Sequence, residues 1–182
     1  MSKYNLERLG WFNFERLVTT LLRQVIGPGI SSFSGSSDQG RDATYKGKAC
    51  FPSKDNPIEG KWIFQVKFRE YQNTSITQVR ADLRSTLQDE LGKITRKYRH
   101  DLNIYVFATN CSLTAANIEE YKQIIESNDC ITHGFILGCQ DIEELLDTNP
   151  KVVRAFPQIM GIGQLRRLSR LSLEFIQSGT VS

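Results

Sequence analysis

Histidine is almost missing from this chain. Only His100 and His133 occur in 182 residues, and they lie far apart. That disfavours a His-rich metal centre, an HNH-type nuclease and any two-histidine mechanism. Cysteine is also sparse: Cys50, Cys111, Cys130 and Cys139 are scattered with no CxxC spacing. Reduced thiols fit that pattern better than a disulfide framework or a zinc site. No apolar run approaches the ~20 residues of a membrane span, and the polar opening MSKYNLERLG is not a signal peptide. A phosphate-binding P-loop is missing too, because Gly92-Lys93 has neither the upstream glycine nor the following Ser or Thr. Repeats and low-complexity tracts are absent. Together these point to a soluble cytoplasmic protein without a membrane partner.

What remains is an ordinary globular balance, with 40% hydrophobic and 24% charged residues. The length suits one domain with a real core. A net charge of +3 is compatible with a polyanion partner but too mild to argue for one.

Apolar residues at Phe14, Leu17, Val18, Leu21, Leu22 and Val25 predict a helix over 5–26, stopped by Gly27-Pro28-Gly29. A short strand over 30–34 and a loop over 34–40 follow. A second short strand over 41–46 places Asp42, Thr44 and Lys46 on one face. The stretch 47–60 holds two Pro and two Gly and reads as a loop or insertion. The central strand, 61–69, alternates: Trp62, Phe64, Val66 and Phe68 face the core, while Ile63, Gln65 and Lys67 share the other side. Downstream, the pattern predicts a helix over 75–99, a buried strand over 103–109, and a helix over 115–127 capped by Thr114. A buried strand over 134–138 and short helices from Asp141 and over 150–156 complete the core. This order is α/β with a mixed central sheet flanked by helices, the last two strands parallel. Domain 1–157 precedes a basic helical tail or linker, 158–182, carrying Arg166, Arg167 and Arg170.

A glutamine and a lysine aimed together off an apolar strand are costly to bury without a purpose. With Asp42 upstream, they suit metal-assisted phosphodiester hydrolysis. The carboxylate would hold a hard cation, the Gln65 amide or Val66 carbonyl would add a ligand, and Lys67 would stabilise developing charge. The plain alternative is an Asp42–Lys67 salt bridge between adjacent strands, with Gln65 at a solvent edge. Glu15 borders the apolar stripe of its helix, so a metal or Lys67 would serve it as partner; Arg8 or Arg16 is the plain alternative.

The order of these motifs resembles the Mrr-type restriction endonucleases of the PD-(D/E)xK nuclease superfamily. A Glu lies in an opening NFERLVTTLL helix, a Gly/Ser loop runs into DQGRD, and a strand ends FQVKF. The segments IYVFATNCSLTAANIEEYKQII and GFILGCQDIEELL extend the likeness, which covers residues 5–147. It implies a three-layer restriction-endonuclease-like fold and a Mg²⁺-dependent DNA endonuclease, with Mn²⁺ able to substitute. By position, the metal-binding aspartate falls on Asp42, the Gln-x-Lys pair on Gln65 and Lys67, and the helical glutamate on Glu15. Asp38 and Gly40 match the preceding loop. The 47–60 segment is longer than that pattern expects, which bears on whether Asp42 stands opposite Lys67. Double-stranded DNA is the implied substrate, with Lys48, Lys54, Arg69, Lys93, Arg96 and Lys97 as phosphate-contacting candidates. The same resemblance implies an effector of a bacterial antiphage defence protein. That effector would be a homo-oligomer, fused in a longer chain to an NTPase or ligand-sensing module. A catalytically inactive binding module of the same fold is the alternative.

Overall fold

The computed structural model describes residues 3–32, 42–53, 55–71, 74–97 and 103–161. Of the predicted tail, residues 162–182 lie outside the described residues, as do Asp38, Gly40 and Lys54 and the side chain of Lys97.

Five strands form one sheet in chain order: β1 (Ser31–Ser32), β2 (Ala43–Ala49), β3 (Ile58–Lys67), β4 (Ile104–Thr109) and β5 (His133–Leu137). The pairs β1–β2 and β2–β3 are antiparallel, whereas β3–β4 and β4–β5 are parallel. Parallel neighbours need crossovers, and these are supplied by α2 (Ile76–Lys97) and α3 (Ala115–Glu126). The other helices are α1 (Gly10–Val25), α4 (Cys139–Thr148) and α5 (Pro150–Ala155).

The alternation along β3 divides the core into two layers. Trp62, Phe64 and Val66 join Ile104 and Val106 against Phe14, Leu17, Leu21 and Leu22 of α1 and against α4 and α5. Ile63, Tyr105 and Phe107 pack on the other side against Val79, Leu83, Leu87, Leu91 and Ile94 of α2, and against α3. Each fully buried Leu, Ile or Phe of these layers contributes roughly 1.5–3 kcal/mol of transfer free energy. The result is the expected α/β architecture, a mixed sheet between helices. The core continues as far as Ile159 and Met160, both buried.

Two elements differ from the expectation. The opening helix is two pieces, a 3-10 turn at Leu6–Leu9 and then α1, separated by Gly10 at φ +65°. That left-handed conformation is one glycine adopts without penalty. Residues 47–60 are not a loop throughout: β2 runs to Ala49 and β3 begins at Ile58. The two glycines that suggested a loop face each other, Gly47 opposite Gly60. At φ +150°, Gly47 lies beneath Tyr45, and an added Cβ would sit 2.7 Å from the Tyr45 hydroxyl. The Gly47 carbonyl also accepts a hydrogen bond from the Trp62 indole at 3.3 Å. Glycine therefore serves close packing inside a long hairpin.

Candidate active site

The long hairpin fixes the register that the sequence left open. Ala43 pairs with Phe64, and the Asp42 amide donates to the Phe64 carbonyl at 3.1 Å. One step further along this antiparallel ladder, Asp42 faces Gln65. Lys67 is therefore not opposite Asp42 but two residues beyond its partner, on the same sheet face as Gln65.

An Asp42 carboxylate oxygen accepts hydrogen bonds from the Gln65 side-chain amide at 3.0 Å and from the Val66 backbone amide. Gln65 is 1% exposed, so it is a core residue and not a solvent-edge one. Its orientation follows from charge. An amide oxygen facing the Asp42 carboxylate would be repelled, so nitrogen faces Asp42 and Oε1 points away. That Oε1 is buried and has no hydrogen-bond partner among the described residues. An unsatisfied buried acceptor is expensive, and its chemistry suits a hard cation.

Lys67, at the end of β3, is only partly exposed, and its ammonium lies 3.4 Å from Oε1 of Glu90 on α2. The same oxygen receives the exposed Lys93 at 3.3 Å. Glu90 is 9% exposed, and its Oε2 is a second buried oxygen without a hydrogen-bond partner among the described residues. A third is the hydroxyl of Tyr105, which lies opposite Ile63 on the same sheet face. Burial pushes that phenol well above its ordinary pKa, and the negative charges of Glu90 and Asp42 add to the effect. Asp42 and Glu90 thus act on one hydroxyl from different elements.

Asp42, Gln65 and Lys67 accordingly gather where β2 and β3 meet α2. Glu15 sits half-buried on α1, which packs against the opposite face of the sheet. Glu90 and Tyr105 are members of the cluster that sequence reasoning missed. Among the described residues, no three His, Cys, Asp or Glu side chains form a metal-binding group. The oxygen donors at hand are instead a mixture of carboxylate and amide, and that mixture fits Mg²⁺, which takes oxygen ligands and keeps several waters.

The phosphate-contacting candidates fall in different settings. Lys48 is exposed on β2. Arg69 is half-buried, its guanidinium bound to the Thr86 hydroxyl at 2.7 Å and the Phe68 carbonyl at 3.2 Å, which ties the exit of β3 to α2. Lys93 and Arg96 are exposed and line a shallow groove of about 310 Å³ on the outer side of α2. A cavity of about 330 Å³ lies elsewhere, between the N-terminal turn and the ends of β4 and β5. It is lined by Tyr71, Asn110, Ser112 and Cys139 and by none of the candidate catalytic residues. No described helix is long and apolar enough to cross a membrane.

No protein-family model and no curated protein sequence matches this chain. Among solved structures, it is similar to the DNA modification-dependent restriction endonuclease AspBHI, at 18% identity and a TM-score of 0.43, over 83% of this chain and 36% of that one. It is also similar to the MspJI restriction endonuclease in complex with a 27-mer oligonucleotide, at 16% identity and a TM-score of 0.41, over 80% of this chain and 32% of that one. The chain therefore spans about a third of the length of each.

Proposed function

We propose that this chain is the nuclease domain of a Mg²⁺-dependent endonuclease, of restriction-endonuclease-like fold and Mrr type, that hydrolyses phosphodiester bonds in double-stranded DNA. The observation that carries the reading is the face shared by Gln65 and Lys67, with Asp42 bound to the Gln65 amide at 3.0 Å and Gln65 Oε1 left unpartnered. Asp42 and Gln65 would hold Mg²⁺ or Mn²⁺; Glu15, on the helix that packs against the opposite face of the sheet, is left out of that set. When bound, the cation supplies an activated water and neutralises phosphate charge. The chain's own residues do the rest. The Asp42 carboxylate orients the Gln65 amide and is itself fixed by the Val66 N–H. Lys67 carries an ammonium at the strand end, where it can meet the attacking oxygen and the charge growing on the phosphate. Lys48, Lys54, Lys93, Arg96 and Lys97 would bind the DNA backbone, with Arg69 bracing the strand. The proposal extends to a cytoplasmic antiphage effector, activated by homo-oligomerisation and fused in a longer chain to an NTPase or ligand-sensing module.

One observation favours a second reading. The described residues hold no group of three His, Cys, Asp or Glu side chains placed for a metal, which suits a nuclease-fold module that binds DNA or protein without turnover. Plasmid cleavage separates the two. With Mg²⁺ or Mn²⁺, the wild type should nick or linearise plasmid, and Lys67→Ala and Asp42→Ala should each be at least about 10²-fold slower, the usual loss of a charge-stabilising group. Intact plasmid with the wild type, even when fused to an oligomerising coiled coil, sinks the enzyme reading. Both variants cleaving at the wild-type rate would remove this site.

A further inference from the structure

We infer that Glu90, carried by α2, supplies a second carboxylate to the divalent-cation site that Asp42 and Gln65 begin on the sheet. The inference rests on the reading of this face as a cation site.

Among the described residues, three buried polar atoms without hydrogen-bond partners lie in one layer of the fold: Gln65 Oε1, Glu90 Oε2 and the Tyr105 hydroxyl. Gln65 and Tyr105 share a sheet face, since Ile63 pairs with Tyr105 and Gln65 with Phe107. Glu90 descends onto that face from α2, whose Leu83, Leu87, Leu91 and Ile94 are buried in the same cluster. A carboxylate taken this far out of water needs its charge met and both its oxygens satisfied. Lys67 and Lys93 share one oxygen, Oε1, and leave the other unmet.

Donor arithmetic then limits the answer. Two of the three orphan atoms are pure acceptors, and the Tyr105 hydroxyl has one hydrogen to give. The Lys67 and Lys93 ammoniums are both engaged at Glu90 Oε1, and neither meets Gln65 Oε1 or Glu90 Oε2. A hard cation satisfies them together, and Mg²⁺ sites commonly use one or two carboxylates and keep several waters. The charges of Glu90 and Asp42 both bear on the buried Tyr105 hydroxyl of that face. Charge points the same way. The strand offers a neutral amide at Gln65, and a second carboxylate on the helix restores the negative charge that a divalent ion requires.

The test is binding of Mn²⁺ to the full chain, read as free Mn²⁺ by electron paramagnetic resonance, with melting curves taken with and without the metal. Glu90→Gln should weaken Mn²⁺ binding at least tenfold, a loss of about the size seen when even groups supporting a metal ligand are removed. It should also abolish most of the Mn²⁺-induced rise in melting temperature. Glu90→Asp, which keeps the charge on a shorter arm, should fall between. If Asp42→Asn loses Mn²⁺ while Glu90→Gln binds it like wild type, the inference about Glu90 fails and the cation site survives. If Glu90→Gln melts lower but keeps the full Mn²⁺-induced shift, Glu90 serves only to pair Lys67, and the inference is again overturned. Wild type that binds no Mn²⁺ at millimolar concentration overturns the site and the inference together.

Discussion

Asn110 shows how a single amide steadies the candidate site. The β3–β4 ladder ends with Lys67 opposite Thr109. One residue on, Asn110 is 3% exposed, accepts from the Arg69 backbone N–H at 2.8 Å and donates to the Arg69 carbonyl at 2.8 Å. The side chain thereby copies a strand rung and holds the chain just past Lys67. Arg69 in turn reaches Thr86, one turn of α2 before Glu90. Asn110→Ala removes two hydrogen bonds and strands two backbone groups. It should cost about 2–3 kcal/mol in urea denaturation, and Asn110→Asp, which sets a buried carboxylate oxygen against the Arg69 carbonyl, should cost at least as much. A loss under about 0.5 kcal/mol for the alanine variant would mean that water replaces the clamp freely.

The elements were legible in proportion to how far their pattern was set by burial. Strand β3 announced itself by alternation, and α3 by its start: the Thr114 hydroxyl accepts from the Asn117 N–H at 3.2 Å, and the Thr114 N–H donates to the Asn117 side chain at 3.2 Å. Thr114→Ala should therefore cost about 1 kcal/mol in chemical denaturation, with Thr114→Ser close to wild type. An unchanged alanine variant would show that the cap is not what starts α3. The hairpin was misread because Gly47 and Gly60 carry a loop composition into a paired ladder, where their use is to let Tyr45 and the neighbouring strand approach. Of the candidate site, Asp42, Gln65 and Lys67 could be read because strand parity places polar groups against an apolar background. Glu90 was missed, although its signal was present: positions 83, 87, 90 and 94 step by four, three and four, which is the buried stripe of a helix. Reading that stripe for apolar residues alone passed over the one acid within it. The partners that Glu90 and Tyr105 meet come from the packing of α2 on the sheet, which no local pattern encodes.

At the scale of the whole molecule, the two core layers share a dependence on neutral phenols. Tyr105 and Tyr121 lie in the layer beneath α2 and α3, and Tyr4 in the layer beneath α1. Burial pushes Tyr4 and Tyr121 up to about 12, Tyr4 helped by its bond to Asp147, and lifts Tyr105 well above its ordinary value. The Tyr121 hydroxyl also donates to the Arg80 carbonyl at 2.6 Å, a bond that a phenolate cannot make. In the unfolded chain these groups ionise near 10. Above that pH the folded state binds more protons than the unfolded state, so stability falls as pH rises. The contribution is whole below about pH 10 and is lost as the pH climbs through about 12. Urea midpoints should therefore stay level between pH 7 and about 9.5 and then drop steeply, with phenolate absorbance appearing in step with unfolding. Tyr105→Phe and Tyr121→Phe should each flatten that drop, because each removes a proton that only the folded state retains. Phenolate absorbance from all the tyrosines in a still-folded chain would show instead that both layers admit water and that these phenols do not set the alkaline limit.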